Sequence, residues 1–157
     1  MFNCGDRVVC PPHGAAVIEG QQDKWVLGEK RQYFIIKPFY GQLTIMLPVD
    51  RAVELGMRDV IDPSEIDGVL AVLGTKSSDL PANWNQRFKE NWRKLGGGDI
   101  LEVAEVVRDL SSIEKIKTLS AKEKDLLRQA RRTLISELVF ARGVEESEAI
   151  RAIEAAL

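Results

Sequence analysis

The stretch LGMRDVIDP, residues 55–63, decides the fold, because the hydrophobic pattern of the chain changes its period there. Before this stretch, apolar and polar residues alternate with a period near two, which is typical of β-strands. After it, apolar residues recur at spacings of three and four, which is typical of amphipathic helices. The sequence therefore predicts an α+β protein with an all-β domain over 1–53 and an α-helical domain over 60–157.

The N-terminal part of the chain carries five apolar runs that predict short strands. Glycines, prolines and charged turns separate the runs. A flat sheet of this size could not bury one of its faces, so the pattern predicts a strongly bent SH3-like or Tudor-like barrel. The five runs are DRVVC (6–10), GAAVIEG (14–20), DKWVLG (23–28), RQYFIIKP (31–38) and QLTIMLPV (42–49).

The C-terminal part predicts a bundle of about five helices with recognisable start and stop signals. Asp and Ser before a helix accept hydrogen bonds from its free N–H groups, and Gly ends a helix readily. A loop over 75–80 separates the first two helices. The first helix is expected to start at Asp62 with Pro63 and to end at Gly74, and the second to run from Pro81 to Leu95 and to end at glycines 96–98. Asp99 is expected to cap the third helix, and Ser120 with Glu123 to form a capping box before the fourth, which ends at Gly143. The last helix contains Ile150, Ile153 and Leu157.

Charge and hydropathy exclude several classes of protein. The 157 residues include 22 Lys and Arg against 24 Asp and Glu, for a net charge of -2. This balance excludes a polybasic protein that coats nucleic acid. No apolar run approaches the ~18 residues that a membrane helix needs, and the N-terminus lacks the layout of a signal peptide. We therefore expect a cytoplasmic protein with no membrane partner.

Residues suited to catalysis or metal binding are scarce. The chain has one histidine and two cysteines, too few for a zinc cluster with several histidines. Acidic residues at i, i+3 and i+7 on the third helix predict a solvated face in preference to a metal site. We therefore expect no enzymatic activity, no cofactor, no metal and no small-molecule ligand. The residues concerned are His13, Cys4, Cys10, Glu102, Glu105 and Asp109.

The stretch WNQRFKENWRK, residues 84–94, is the one local concentration of positive charge, with four basic residues against Glu90. Its apolar residues Trp84, Phe88, Trp92 and Leu95 follow helical spacing, and this spacing alone favours a buried stripe. The alternative is that Trp84, in the first turn, projects beside the cations. A large apolar side chain flanked by cations is suited to wedging between base steps in a DNA minor groove.

Four segments together closely resemble the CarD family of bacterial transcription regulators. They are GDRVVCPPHGAAVIEG (5–20), PANWNQRFKENWRKL (81–95), GGGDILEVAEVVRDL (96–110) and LSAKEKDLLRQARRTLISELVFARG (119–143). The resemblance extends over essentially the whole chain, and the two halves occur in the family's order. It implies a regulator of transcription initiation without enzymatic activity.

For the N-terminal domain, the resemblance implies a Tudor-like module that binds RNA polymerase at the protrusion or lobe region of the β subunit. The residues expected at that contact are Lys24, Arg31 and Met46. Lys24 matches a position where members carry a basic residue. Met46 occupies a position where some members carry arginine, so we expect a less electrostatic contact here.

For the helical domain, the resemblance implies contact with promoter DNA at the upstream edge of the transcription bubble. Trp84 matches the tryptophan that wedges into the minor groove, and Arg87, Lys89 and Arg93 are the expected phosphate contacts. A protein that binds the open promoter better than the closed one shifts the equilibrium towards opening. We therefore expect stabilisation of the open promoter complex.

One alternative belongs to another functional class. The chain could be an adaptor that binds one partner through the barrel and a second protein through its helices, with Trp84 in the core. Truncation of Trp84 would then unfold the helical domain. The helices show no long heptad seam, so we expect a monomer in either case.

Overall fold

The computed structural model of the chain describes residues 2–77, 81 and 83–157. Within these residues, an antiparallel five-stranded sheet with the order β4-β3-β2-β1-β5 precedes five α-helices, so the predicted α+β class is confirmed. The strands are β1 (Arg7–Cys10), β2 (Gly14–Val26), β3 (Glu29–Pro38), β4 (Ile45–Pro48) and β5 (Arg58–Asp59). The helices are α1 (Ile66–Leu73), α2 (Trp84–Gly96), α3 (Ile100–Glu114), α4 (Ala121–Arg142) and α5 (Glu146–Ala156).

The strands differ from the predicted set in two places. The runs 14–20 and 23–28 form the single strand β2, whose pairing with β3 shifts between Ile18 and Gly20. Such an irregularity bends a long strand without ending it. The fifth strand is β5, which pairs with β1 and lies beyond the predicted end of the first domain at residue 53. Two residues are too few to show an alternating pattern.

Buried apolar residues form two clusters, one in each part of the molecule. The smaller cluster lies on the inner face of the sheet. The larger cluster joins the five helices, with its centre on α3 and α4. The smaller cluster consists of Val8, Cys10, Ala16, Ile18, Phe34, Ile36, Ala52 and Met57, and the larger includes Ile66, Leu95, Val106, Val107, Leu110, Leu126, Leu134, Leu138 and Ile153.

Most predicted helix signals are confirmed, but α2 begins later than expected. Asp62 caps the short turn before α1, Asp99 caps α3, Ser120 caps α4 and Gly143 ends α4 in the left-handed conformation. Helix α2 starts at Trp84, with Asn83 as its cap, and not at Pro81. Residues 78–80 of the predicted loop lie outside the described residues.

Helix α4 also joins the helical part to the sheet. The backbone N–H of Ala15 donates to the Ser136 hydroxyl over 3.0 Å. A Cβ at Gly14, which has a φ of +83°, would lie 2.9 Å from the same Ser136 oxygen, so only glycine allows this approach. The ring of Phe140 meets Phe39 edge to face at 5.7 Å. The sheet and the helices therefore share a packed interface along α4.

Candidate nucleic-acid interface on helix α2

Trp84 is the first residue of α2 and stands at an exposed end of the helix. The side-chain oxygen of Asn83 accepts hydrogen bonds from the backbone N–H groups of Asn85 and Gln86, at 2.9 and 3.4 Å. This cap fixes where the helix begins. The Trp84 residue is 44% exposed, so a large part of the indole faces solvent at the first turn.

The predicted buried stripe on α2 is largely wrong. Of its four members, only Leu95 is fully buried, whereas Trp92 is 47% exposed like Trp84. Phe88 lies partly buried and stacks on Trp92, with 6.3 Å between ring centroids. The buried face of α2 consists of Arg87, Asn91, Lys94 and Leu95. Three polar side chains on a neighbouring face are therefore buried, in the place where spacing predicted aromatic rings.

Arg87 accounts for this orientation of the helix. Its Nε and Nη2 atoms donate to the two carboxylate oxygens of Glu123 on α4, at 2.8 and 2.6 Å. The two side chains are only 8% and 2% exposed. Hydrogen bonding to Glu123 raises the pKa of Arg87 above its usual range, so the guanidinium stays charged. The pair fixes α2 against the first turn of α4.

The structure therefore corrects the expected role of Arg87 as a phosphate contact. Its guanidinium could reach a phosphate only by leaving Glu123 as an unpaired buried charge, which is strongly unfavourable. The sequence suggested Glu123 only as half of a capping box. The Ser120 hydroxyl does accept from the Glu123 N–H, but the Glu123 carboxylate binds Arg87 instead of completing the box.

The other cations of α2 are also paired, except one. Arg93 donates to Glu90 and to Glu102, at 2.8 and 3.1 Å, and Lys94 donates to Glu105 at 2.8 Å. Among the cations of residues 84–94, all of which the structure describes, only Lys89 lies exposed without an ion pair. The local positive charge seen in the sequence is therefore mostly neutralised by neighbouring helices.

The acidic face predicted on α3 is only partly solvated, with the Glu102 and Glu105 side chains 29% and 33% exposed. Glu102 and Glu105 are the partners of Arg93 and Lys94, while Asp109 is fully buried and accepts from Arg108 at 2.9 Å. Within the described parts of the chain, no group of three or more His, Cys, Asp or Glu residues is placed to hold a metal ion. Glu102 and Glu105 therefore connect α3 to α2.

The residues expected at the polymerase contact lie on one face of the sheet. Lys24 on β2 stands directly opposite Arg31 on β3, and Met46 on β4 stands opposite Ile35 on β3. Since Arg31 and Ile35 are four residues apart on one strand, their side chains point to the same side. The intervening Phe34 points inward to the core. Lys24, Arg31 and Met46 therefore share the outer face.

Comparison with known proteins covers both parts of the molecule. The family model described as CarD-like/TRCF RID domain matches residues 2–61, and the model described as CarD, C-terminal domain matches residues 68–154. A relative from Bacillus subtilis (strain 168), named "Putative transcription factor YdeB", is 38% identical over 148 residues, which are 94% of this chain and 97% of the relative.

In the described segments, no helix is both long and apolar enough to cross a membrane.

Proposed function

This chain belongs to the CarD family, and from that premise we propose that it is a transcription regulator that binds RNA polymerase and stabilises the open promoter complex. The sheet domain binds the β subunit at its protrusion or lobe region. The helical domain places Trp84 in the minor groove at the upstream edge of the bubble. The protein acts by binding alone, without catalysis.

The exposure of Trp84 is the observation that carries this proposal. A tryptophan that is 44% exposed at the first position of a capped helix has an apolar surface available to an opened base step. The adaptor alternative required the same side chain in the core, so its main support is absent. Lys89, exposed on the same helix and without an ion pair among the described residues, is the first expected phosphate contact. Arg93 is exposed further along the helix and reaches a phosphate only by exchanging Glu90 and Glu102 for it.

The expected energies are sufficient for a regulator. Stacking one base on an aromatic side chain is worth roughly 1–3 kcal/mol. A differential binding energy of about 1.4 kcal/mol changes an equilibrium tenfold. One tryptophan that contacts only the open form can therefore lengthen the lifetime of the open complex substantially.

The pairing of α2 cations supports a mechanism that depends on polymerase. With Arg87, Arg93 and Lys94 held by carboxylates, few cations remain to release counterions from DNA, so binding to DNA alone is weak. Attachment to polymerase through the outer sheet face supplies a high local concentration at the promoter. The factor thus avoids the competing non-specific sites of the genome.

The direct test is the lifetime of an open promoter complex formed by bacterial polymerase holoenzyme. We expect the wild-type protein to lengthen this lifetime and Trp84→Ala to abolish the extension while melting normally. Trp92→Ala is the matched control, because Trp92 has almost the same exposure on the same helix. An unchanged lifetime with wild-type protein would reject the proposal.

A second test addresses the sheet face. Reversal of charge at Lys24 and Arg31, as Lys24→Glu with Arg31→Glu, should weaken binding to polymerase and leave the helical domain folded. Lys122→Glu with Arg151→Glu, two exposed positions on α4 and α5 away from the sheet, is the control with the same change of charge. Equal loss of binding in the control would mean that the contact depends on overall charge and not on this face.

A further inference from the structure

Arg58 and Glu137 form an ion pair that joins the sheet to the helices. Arg58 Nη1 and Nη2 donate to Glu137 Oε2 and Oε1, at 2.7 and 2.8 Å. Arg58 lies on β5 in the sheet, and Glu137 lies on α4 with 0% of its surface exposed. The pair therefore connects the sheet to the helices, and its carboxylate on α4 is buried.

The same two side chains also form hydrogen bonds to the backbone of nearby segments. The Ile61 N–H donates to Glu137 Oε2 at 2.9 Å, so the carboxylate accepts three hydrogen bonds. Arg58 Nε donates to the Gly98 carbonyl at 2.7 Å, and Nη1 also donates to the Asp59 carbonyl at 2.9 Å. A guanidinium fixed by four hydrogen bonds in different directions tolerates little rotation of one domain against the other.

Gly98 connects this pair to the helix that carries Trp84. It lies between the C-terminal end of α2 and the start of α3. A Cβ at Gly98, which has a φ of +83°, would lie 2.8 Å from Pro11 Cγ, directly after β1. The turn directly after α2 is therefore packed against the sheet and hydrogen-bonded to Arg58.

A small rotation at Gly98 is amplified at the opposite end of α2. From Gly98 to Trp84 the distance along α2 is ~20 Å at about 1.5 Å per helical residue, so a rotation of ~10° moves the indole by ~3.5 Å. That distance matches the spacing of stacked bases along one strand, about 3.4 Å. A tryptophan displaced by this amount would insert at the wrong base step.

We propose that Arg58 and Glu137 are positioning residues, which set the direction of α2 relative to the polymerase-binding face of the sheet. The inference rests on the proposed function, because it concerns where a polymerase-bound protein places Trp84. Neither side chain contacts DNA or polymerase. They act by allowing only one orientation of the two parts of the molecule.

The main test uses the double variant Arg58→Met with Glu137→Leu. Removal of both charges leaves no unpaired buried ion, and apolar replacement of a buried pair is often tolerated. We expect this variant to melt as wild type does and to bind polymerase equally well, yet to lose most of the extension of open-complex lifetime. Glu137→Gln, which keeps the shape and an acceptor oxygen, is a second variant with the same expected direction.

An orientation measurement separates positioning from simple stability. Spin labels are attached at Val53→Cys on the sheet side and at Ile116→Cys on the helical side, two exposed positions. Pulsed electron paramagnetic resonance then measures the distance between the sheet and the helical part. Cys4→Ser removes the exposed thiol. Burial raises the pKa of Cys10 to about 11, so that thiol stays protonated and unreactive. The double variant should broaden a narrow wild-type distance distribution.

The matched control removes an ion pair that lies within the helical part. Glu154→Gln breaks the contact between Arg131 on α4 and Glu154 on α5, 3.3 Å long and partly exposed. It should change neither the distance distribution nor the lifetime. A folded double variant with a wild-type distance distribution, or with a wild-type lifetime extension, would overturn the inference.

Failure of the proposed function is distinguishable from failure of this inference. If wild-type protein leaves the open-complex lifetime unchanged, the proposed function is wrong, and the distance measurement alone decides the positioning role. A broadened distribution in the double variant then supports Arg58 and Glu137 as the residues that orient the two parts. An unchanged distribution rejects it.

Discussion

The two faces of α2 contain different residue types from those that their burial would suggest. The buried face holds Arg87, Asn91 and Lys94, and the exposed face holds Trp84 and Trp92. This is the reverse of the usual arrangement, in which aromatic side chains are inside and cations outside. The difference shows that ion pairs with other helices can decide which face of a helix is buried. When such pairs bury the polar face, the aromatic side chains stay exposed and available for binding.

Arg87→Met should have the largest effect on this arrangement. The variant leaves the Glu123 carboxylate, 2% exposed, without its partner, and loss of one member of a buried pair typically costs ~3–5 kcal/mol. Urea unfolding should show a matching decrease in the free energy of unfolding. The double variant Arg87→Met with Glu123→Leu should recover most of the loss, and failure to recover it would mean that the pair is not the main anchor of α2.

Asn91→Leu should have a smaller effect in the opposite direction. Both polar atoms of the Asn91 side chain are buried and have no hydrogen-bond partner among the residues that the structure describes. An unsatisfied buried polar group costs ~1–3 kcal/mol, so a leucine of similar volume should stabilise the protein by about 1 kcal/mol or more. The midpoint of urea unfolding should rise, with Asn85→Leu on the exposed first turn as the control. A destabilised variant would show that the amide has a partner in solution.

Arg93→Gln should have the smallest effect on stability. The Arg93 side chain is 57% exposed and those of its partners Glu90 and Glu102 are 42% and 29% exposed, and ion pairs this accessible to solvent contribute little. The urea midpoint should stay close to the wild-type value, in contrast with Arg87→Met on the opposite face. A loss comparable with that of Arg87→Met would contradict the distinction between the two faces.

Acid pH should remove even that small contribution of Arg93. The hydrogen bond from Arg93 holds the pKa of Glu90 below its ordinary value of 4.5. A depressed carboxyl pKa contributes stability above pH ~4.5 that is lost as the pH falls through the folded-state pKa. The difference between wild type and Arg93→Gln should therefore disappear in urea titrations at acid pH. A difference that grows at low pH would contradict a lowered pKa of Glu90.

Local signals in the sequence predicted much of the fold. Asp62, Asp99 and Ser120 cap helices where expected, and Gly143 ends α4, because a cap involves atoms only a few residues apart. The boundary between alternating and helical patterns was equally local. The start of α2 and the strand β5 were missed, since Pro81 is compatible with more than one start and Arg58–Asp59 has no period to detect.

The candidate site was predicted less completely than the fold. The family resemblance predicted an exposed Trp84 that acts as a wedge, and its exposure is observed, whereas the wedge role stays a prediction. Helical spacing alone placed Trp84 in a buried stripe. Arg87 looked like a phosphate contact, because its partner Glu123 lies 36 residues further along the chain. No pattern within a helical turn indicates such a pairing.

The sequence by itself determined the order of sheet and helices, most of the helix caps and the family. Only the tertiary structure decided which face of α2 is buried and how the helices are oriented against the sheet. Those features depend on pairs such as Arg58 with Glu137, 79 residues apart. Their pairing energy depends on distance and on exclusion of water, and both exist only after the chain has packed.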